Sequence, residues 1–157
     1  MRIDTTAAII TGAASGLGEA TARHFRKAGA QVTLLDRDVT RGAALADEIG
    51  ATFVETDVTD EESVKTAIAT AKSNMGKITA AINCAGIATG AKTIGKDGPH
   101  DLAAFQRTID INLIGTFNVA RLAAMEIAAN TPAPDGTRGV IINTASIAAY
   151  DGQKGQT

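Results

Sequence analysis

Ala7-Ala8-Ile9-Ile10-Thr11-Gly12-Ala13-Ala14-Ser15-Gly16-Leu17-Gly18 is a short apolar run followed at once by three spaced glycines. The run Ala7–Thr11 reads as a buried parallel strand. The segment after it, residues 19–28, reads as an amphipathic helix carrying Ala20, Phe25 and Ala28 and ending at Gly29. Strand, glycine turn, then helix is the order that a phosphate needs. Glycine lets the backbone turn tightly and approach an anion, and the helix start offers unpaired N–H groups at the positive end of its dipole. Gly12 is expected to make the turn, Gly16 to admit a pyrophosphate, and Gly18 to let the helix pack close to the sheet. Without its flanks a glycine triplet is an ordinary connector; here both flanks are present.

Outward from this stretch the same alternation continues. Gln31–Asp36 reads as a second strand, Val39–Ile49 as a helix stopped by Gly50, and residues 52–56 as a third strand. Thr59-Asp60-Glu61-Glu62 has capping-box spacing, and Val64, Ala67, Ile68, Ala71 and Met75 follow as the core stripe of a helix ended by Gly76. A fourth strand is expected over 78–83 and a loop over 87–100. A long helix should run from Asp101 to about Asn130, where Thr131-Pro132 breaks it. Leu102, Phe105, Ile109, Leu113, Ile114, Phe117, Val119 and Leu122 cover more than one face of that helix. Burial on the sheet and against a second helix, that of a partner subunit, would account for both. Residues 139–143 read as a fifth strand. The fold class that follows is α/β, a Rossmann-type doubly wound parallel sheet with its ligand crevice at the carboxyl ends of the strands.

Composition narrows the function. With 157 residues, 45% hydrophobic and 20% charged, the chain suits one globular domain. A net charge of -2 and a pI near 5.6 provide no basic field for nucleic acid or an anionic membrane. Aromatic residues at 3% argue against a platform for stacked bases. The single cysteine, Cys84, rules out an internal disulfide framework and suits a reducing compartment, so a cytoplasmic location is expected. Two histidines and one cysteine, unclustered, lead to the expectation of no metal site. No signal peptide or membrane span is expected either.

Chemistry should collect at the strand ends. Asp36 closes the second strand, about 20 residues on from the glycines, where an acid accepts hydrogen bonds from ribose hydroxyls and repels a 2′-phosphate. This favours NAD over NADP. Ser15 supplies no cation for a 2′-phosphate, but Arg37 is a counter-argument, since its guanidinium could hold one. The third strand leads into Asp57-Val58, the fourth into Asn83-Cys84-Ala85-Gly86 and the fifth into Asn143-Thr144-Ala145-Ser146. Small residues after the fourth strand would let a ribose or nicotinamide lie against the backbone. Cys84 lacks a base partner and reads as a small buried side chain, and His24 and His100 read as surface residues.

Taken together, these residues resemble the short-chain dehydrogenase/reductase family over essentially the whole chain. Thr11-Gly12-x-x-x-Gly16-x-Gly18 matches its cofactor turn, which includes Ser15 and Leu17, and Asp57-Val58 matches its adenine-contact pair. Asn83-Cys84-Ala85-Gly86 matches its Asn-Asn-Ala-Gly motif with cysteine for the second asparagine. Asn112 stands at its helix asparagine and Ser146 at its catalytic serine. Residues 83–88, 105–119 and 139–150 are similar to the type-2 3-hydroxyacyl-CoA dehydrogenase branch, in which that cysteine is typical. The resemblance implies an NAD-dependent oxidoreductase for a secondary alcohol or ketone, with an acyl-CoA as substrate and a homo-oligomer as the working form. In it a tyrosine moves the proton, Ser146 holds the substrate oxygen, Asn112 orders a water, and a lysine lowers the tyrosine pKa. A phenol near pKa 10 needs such a neighbouring cation to act as a base at neutral pH.

One departure matters. The family places its tyrosine and lysine further from the serine than this sequence reaches. Tyr150-Asp151-Gly152-Gln153-Lys154 has the right internal spacing, but Gly152 and Gly155 make a helix poor there and Tyr150 follows Ser146 too closely. The expectation is therefore that residues 1–157 form the NAD-binding domain of a longer chain. A chain stopping there would leave the fifth strand as an open edge. Two other classes remain open at this point. One is a non-catalytic nucleotide-binding module. The other, a P-loop NTPase or methyltransferase, lacks the Gly-Lys-Ser/Thr of a P-loop and leaves Asn112 and Ser146 unexplained.

Overall fold

The computed structural model describes residues 2–152 and Gly155. In chain order its elements are β1 (Ala7–Thr11), α1 (Gly16–Lys27), β2 (Gln31–Asp36), α2 (Val39–Ile49), β3 (Thr52–Glu55), α3 (Glu61–Met75) and β4 (Ala80–Asn83). A two-residue antiparallel pairing follows, β5 (Ile94–Gly95) with β6 (Gly98–Pro99). Then come α4 (Leu102–Ile109), a π-helical turn (Asp110–Gly115), α5 (Thr116–Ala128) and β7 (Val140–Asn143). The main sheet is wholly parallel in the order β3-β2-β1-β4-β7. Chain order reverses at β1, which has β2 on one side and β4 on the other, and this opens a crevice at the carboxyl ends.

The central strands β1 and β4 are buried along their whole length and β2 nearly so, because both faces are covered, whereas β7 at the sheet edge is largely exposed. Successive side chains point to opposite faces. Ile9, Leu35 and Ala81 join Val64, Ile68 and Val119 beneath α3 and α5. Ala8, Ile10, Leu34 and Ile82 join Ala22 and Leu45 beneath α1 and α2. Ile9, Ile10, Leu34 and Leu35 are completely or almost completely buried, each contributing about 1.5–3 kcal/mol by leaving water.

Several local expectations change. On α1 the buried row is Gly18 and Ala22, with Phe25 partly covered; Ala20 and Ala28 are exposed. Positions four apart share a face, and the glycine row is the one that can sit nearest the sheet. Helix α3 is capped by Asp60, whose carboxylate accepts from the Ser63 N–H at 2.8 Å, and not by Thr59. The Thr59 hydroxyl is taken up by Asp57 at 2.7 Å, one residue too early to reach the helix. Gly50 and Gly76 close α2 and α3 in the left-handed region (φ 64° and 76°), as placed from the sequence. Cys84 is half-buried, with the Thr144 hydroxyl 3.6 Å from its sulfur.

The largest difference lies in the long helix. Asp101 caps it as expected, but residues Asp110–Gly115 adopt π-helical geometry between α4 and α5. Gly115 explains where the extra residue is tolerated: a Cβ there would stand 2.5 Å from Val58 Cγ2. Beyond the π turn Val119 and Ala123 enter the core, while Leu102, Leu113, Ile114 and Phe117 stay more than half exposed or nearly so. No helix among the described residues is long and apolar enough to cross a membrane.

Candidate functional site

At the carboxyl ends, Thr11, Asn83 and Asn143 stand level on β1, β4 and β7. Thr11 is 1% exposed, and its hydroxyl oxygen accepts from the N–H groups of Cys84 and Ala85, both at 3.1 Å. The Asn83 amide donates to Asn143 Oδ1 at 2.9 Å. These bonds lock the loop after β4 onto the start of the glycine turn. Gly12, at φ 63°, lies so close to that loop that a Cβ would stand 2.8 Å from Ala85 N and Cα.

The glycine turn delivers the chain into α1 with Ser15 at the N-cap, and here the helix differs from its neighbours. Asp38, Asp60 and Asp101 each cap a helix with a side-chain carboxylate, whereas Ser15 makes no side-chain cap bond. The first N–H groups of α1 are thus left for another acceptor. Gly16, at φ 54°, has nothing within 4 Å of where a Cβ would stand, which is open space directly over the turn.

That space is a cavity of about 430 Å³. Gly12, Ser15, Gly16 and Leu17 form one wall, Asp36, Asp57 and Val58 a second, and Cys84, Ala85 and Gly86 a third. Gly18 lies beneath the turn, and Asn83 is buried behind the third wall. Leu35, Arg37, Thr56, Ile87, Arg107 and Ile111 complete the lining. Of these, the sequence points to Arg37 alone. Leu35 and Thr56 are chain neighbours of the strand-end acids, which was a usable signal. Arg107 and Ile111 lie four apart on one helical face, and nothing in sequence points that face at the crevice.

Asp36 bridges two loops. One carboxylate oxygen accepts from the Ala14 N–H and the other from the Asp38 N–H, both at 2.9 Å. Each oxygen keeps capacity for a further donor, and Asp36 lines the cavity. Arg37 does not stand free: its Nε lies 3.6 Å from Asp57 Oδ2. Burial pushes the Asp57 carboxyl up, but bonds from the Thr59 hydroxyl and N–H and the Arg37 charge outweigh it, leaving its pKa below the ordinary 3.8.

Asn112 and Ser146 lie outside the cavity wall. Both polar atoms of the Asn112 amide are engaged by Ile87, Oδ1 accepting its N–H at 2.9 Å and Nδ2 donating to its carbonyl at 2.8 Å. In this arrangement the side chain fixes the loop beside Gly86. Ser146 follows β7 and its Oγ accepts from the Ala148 N–H at 3.2 Å, capping a short 3-10 turn. Tyr150 is exposed, and Lys154 lies outside the described residues. A larger hollow, about 580 Å³, opens at the amino ends of the strands beside Lys77, Thr79 and Arg138, remote from all of these groups. Among the described residues no group of three or more His, Cys, Asp or Glu could hold a metal.

A family profile described as short chain dehydrogenase matches residues 6–157. The chain belongs to the short-chain dehydrogenase family. Within that family it is 49% identical to the 3-hydroxyacyl-CoA dehydrogenase type-2 of Drosophila melanogaster, over 98% of this chain and 62% of that one. It is 51% identical to the Homo sapiens protein of the same name, over 95% and 59%. The crystal structure of 3-hydroxyacyl-CoA dehydrogenase type-2 from Mycobacterium avium superposes with a TM-score of 0.89 at 46% identity, over 95% of this chain and 60% of that one. The chain thus spans about three-fifths of the length of the relatives it matches. The parallel sheet with its switch point at β1 and the open glycine turn are the parts of the family fold that this chain contains.

Proposed function

We propose that the protein is an NAD-dependent oxidoreductase that moves hydride between the nicotinamide and a secondary alcohol or ketone, with 3-hydroxyacyl-CoA thioesters as its substrate class. The observation that carries this reading is the cavity joining the uncapped start of α1 to Asp36 at the end of β2. The residues present fit such a cofactor. The α1 N–H groups and the open space over Gly16 suit a diphosphate, and the spare lone pairs of Asp36 suit ribose hydroxyls. When bound, the nicotinamide supplies or accepts the hydride. Ser146, on the segment after β7, holds the substrate oxygen, and Asn112 keeps Ile87 and Gly86 in place against the cofactor. The acyl-CoA class is supported by the relatives' shared name.

The Asp36 charge disfavours a 2′-phosphate, and the Asp57 carboxylate draws Arg37 away from serving one. The full-length protein should therefore oxidise NADH with acetoacetyl-CoA at 340 nm and use NADPH at least about tenfold less well, the difference that roughly 1.4 kcal/mol makes. A preference for NADPH would remove the role given to Asp36. Failure to reduce any acyl-CoA, with activity on other ketones, would remove the substrate class.

We also propose a homo-oligomer. Leu102, Leu113, Ile114 and Phe117 expose large apolar side chains along α4, the π turn and the start of α5, of the kind that marks a protein interface. Sedimentation of the full-length protein should give a dimer or larger; a monomer at micromolar concentration would sink this reading.

A further inference from the structure

The wall that Asp57 and Val58 contribute to the cavity is held from behind by a polar group with no part in the walls. Asn118, on α5, is 6% exposed, one of the few buried polar side chains among the described residues. Its Nδ2 donates to the Val58 carbonyl at 3.0 Å, and its Oδ1 accepts from Arg121 Nη2 at 2.7 Å. The same Arg121 nitrogen lies 2.7 Å from Glu61 Oε2 in the first turn of α3. Helix α5 therefore reaches the carbonyl of a cavity residue through one buried amide, and the start of α3 braces that amide through one guanidinium.

The remaining contacts of the segment hold its side chains and its ends rather than that carbonyl. Val58's side chain is seated on Gly115, where a Cβ would come within 2.5 Å of Val58 Cγ2. The Asp57 N–H donates to Ser63 Oγ at 3.0 Å, and Asp57 Oδ1 accepts from Thr59. These fix the segment's ends against α3 and the π turn. The Asn118 bond holds the Val58 carbonyl, and a buried carbonyl robbed of its donor moves or takes up water.

We propose that Asn118, braced by Arg121, is a positioning residue for cofactor affinity. It sets the Asp57-Val58 wall against the adenine half of the ligand while leaving the nicotinamide half alone. This rests on the reading of the cavity as a site for a nicotinamide–adenine dinucleotide. Arg121 acts at one remove, by holding the amide in the orientation that points its NH₂ group at Val58. Asn118 then satisfies both of its polar ends, which is the condition for a buried amide to orient a neighbour.

The test is ligand binding to the full-length protein by titration calorimetry, with ADP-ribose and nicotinamide mononucleotide as separate probes. Asn118→Leu keeps the volume and removes both hydrogen bonds. ADP-ribose should bind it about tenfold more weakly, the loss expected for one buried hydrogen bond, with nicotinamide mononucleotide unchanged. Arg121→Met, on a partly exposed side chain, leaves the Asn118 bond unbraced and should weaken ADP-ribose about threefold. If Asn118→Leu does not fold, the Arg121→Met comparison decides. Unchanged ADP-ribose affinity in the folded variants, or an equal loss for both probes, would overturn the proposal. Failure of the unaltered protein to bind ADP-ribose would instead overturn the cofactor reading beneath it.

Discussion

Gly18→Ala is expected to abolish cofactor binding and to lower stability by about 1–3 kcal/mol or more, the cost of overpacking against atoms that cannot yield. A Cβ on Gly18 would overlap the Gly12 carbonyl oxygen and stand 2.7 Å from its carbon and 3.0 Å from Ala13 Cα. All of these are backbone, so the glycine turn itself would have to open. That turn is pinned on its far side, because Gly12 packs against the Ala85 backbone. The strain therefore passes into two walls of the cavity. Gly16→Ala is the comparison. Its φ of 54° makes a side chain cost about 1–2 kcal/mol, but nothing lies within 4 Å of the new methyl. It should fold with a smaller loss and fail in binding because the methyl occupies the diphosphate's space. Urea denaturation of both variants, with NADH binding by fluorescence, separates packing at Gly18 from occupancy at Gly16. Equal stability of the two variants would show that the overlap at Gly18 costs no more than the left-handed backbone at Gly16.

Much of the fold was legible because glycines punctuate it. Ala7–Thr11, Gln31–Asp36 and Val39–Ile49 have the bounds read from the sequence, each ended by a glycine turn, a charged strand end or a left-handed cap. The π turn was not legible. Asp110-Ile111-Asn112-Leu113-Ile114-Gly115 has ordinary helical composition, and one additional residue in a turn leaves a pattern of apolar positions that still fits an α-helix. Its cause is lateral: Val58 needs the space over Gly115, and the loop after β4 needs the Asn112 amide. The same holds for the cap of α3, where Thr59 and Asp60 are both good capping residues and the Thr59 hydroxyl is taken by Asp57, which leaves Asp60 to cap. At the cavity, the glycine turn and Asp36 follow from their place after the first and second strands, and Asp57-Val58 and Asn83–Gly86 from the family resemblance. Features brought in across the sheet, such as Arg107, Ile111 and the Asp36 bond to Ala14, depend on distances between loops that no spacing encodes.

Thr11 opens the glycine motif, but its place there does not show what its hydroxyl holds, and it makes the second strong prediction. It ends an otherwise apolar strand, and a hydroxyl in that place has few ways of being satisfied. The structure gives it two donors at once, the N–H groups of Cys84 and Ala85, at a site 1% exposed. Thr11→Val keeps the shape and removes the acceptor. Two backbone N–H groups would then face a methyl, each costing about 1–3 kcal/mol if it stays dry. The two are neighbours on one loop and can relax together, so the joint loss should be about 2–4 kcal/mol, below their simple sum. The loop they hold is the cavity wall Cys84-Ala85-Gly86, so NADH affinity should fall with stability. Thr11→Ser restores the oxygen while removing the methyl, and should recover most of both. The urea midpoint, read at unchanged m-value, reports the first effect. If Thr11→Val and Thr11→Ser have the same midpoint, the paired N–H groups find water instead, and the wall is held by the Asn83–Asn143 bond at 2.9 Å rather than by Thr11.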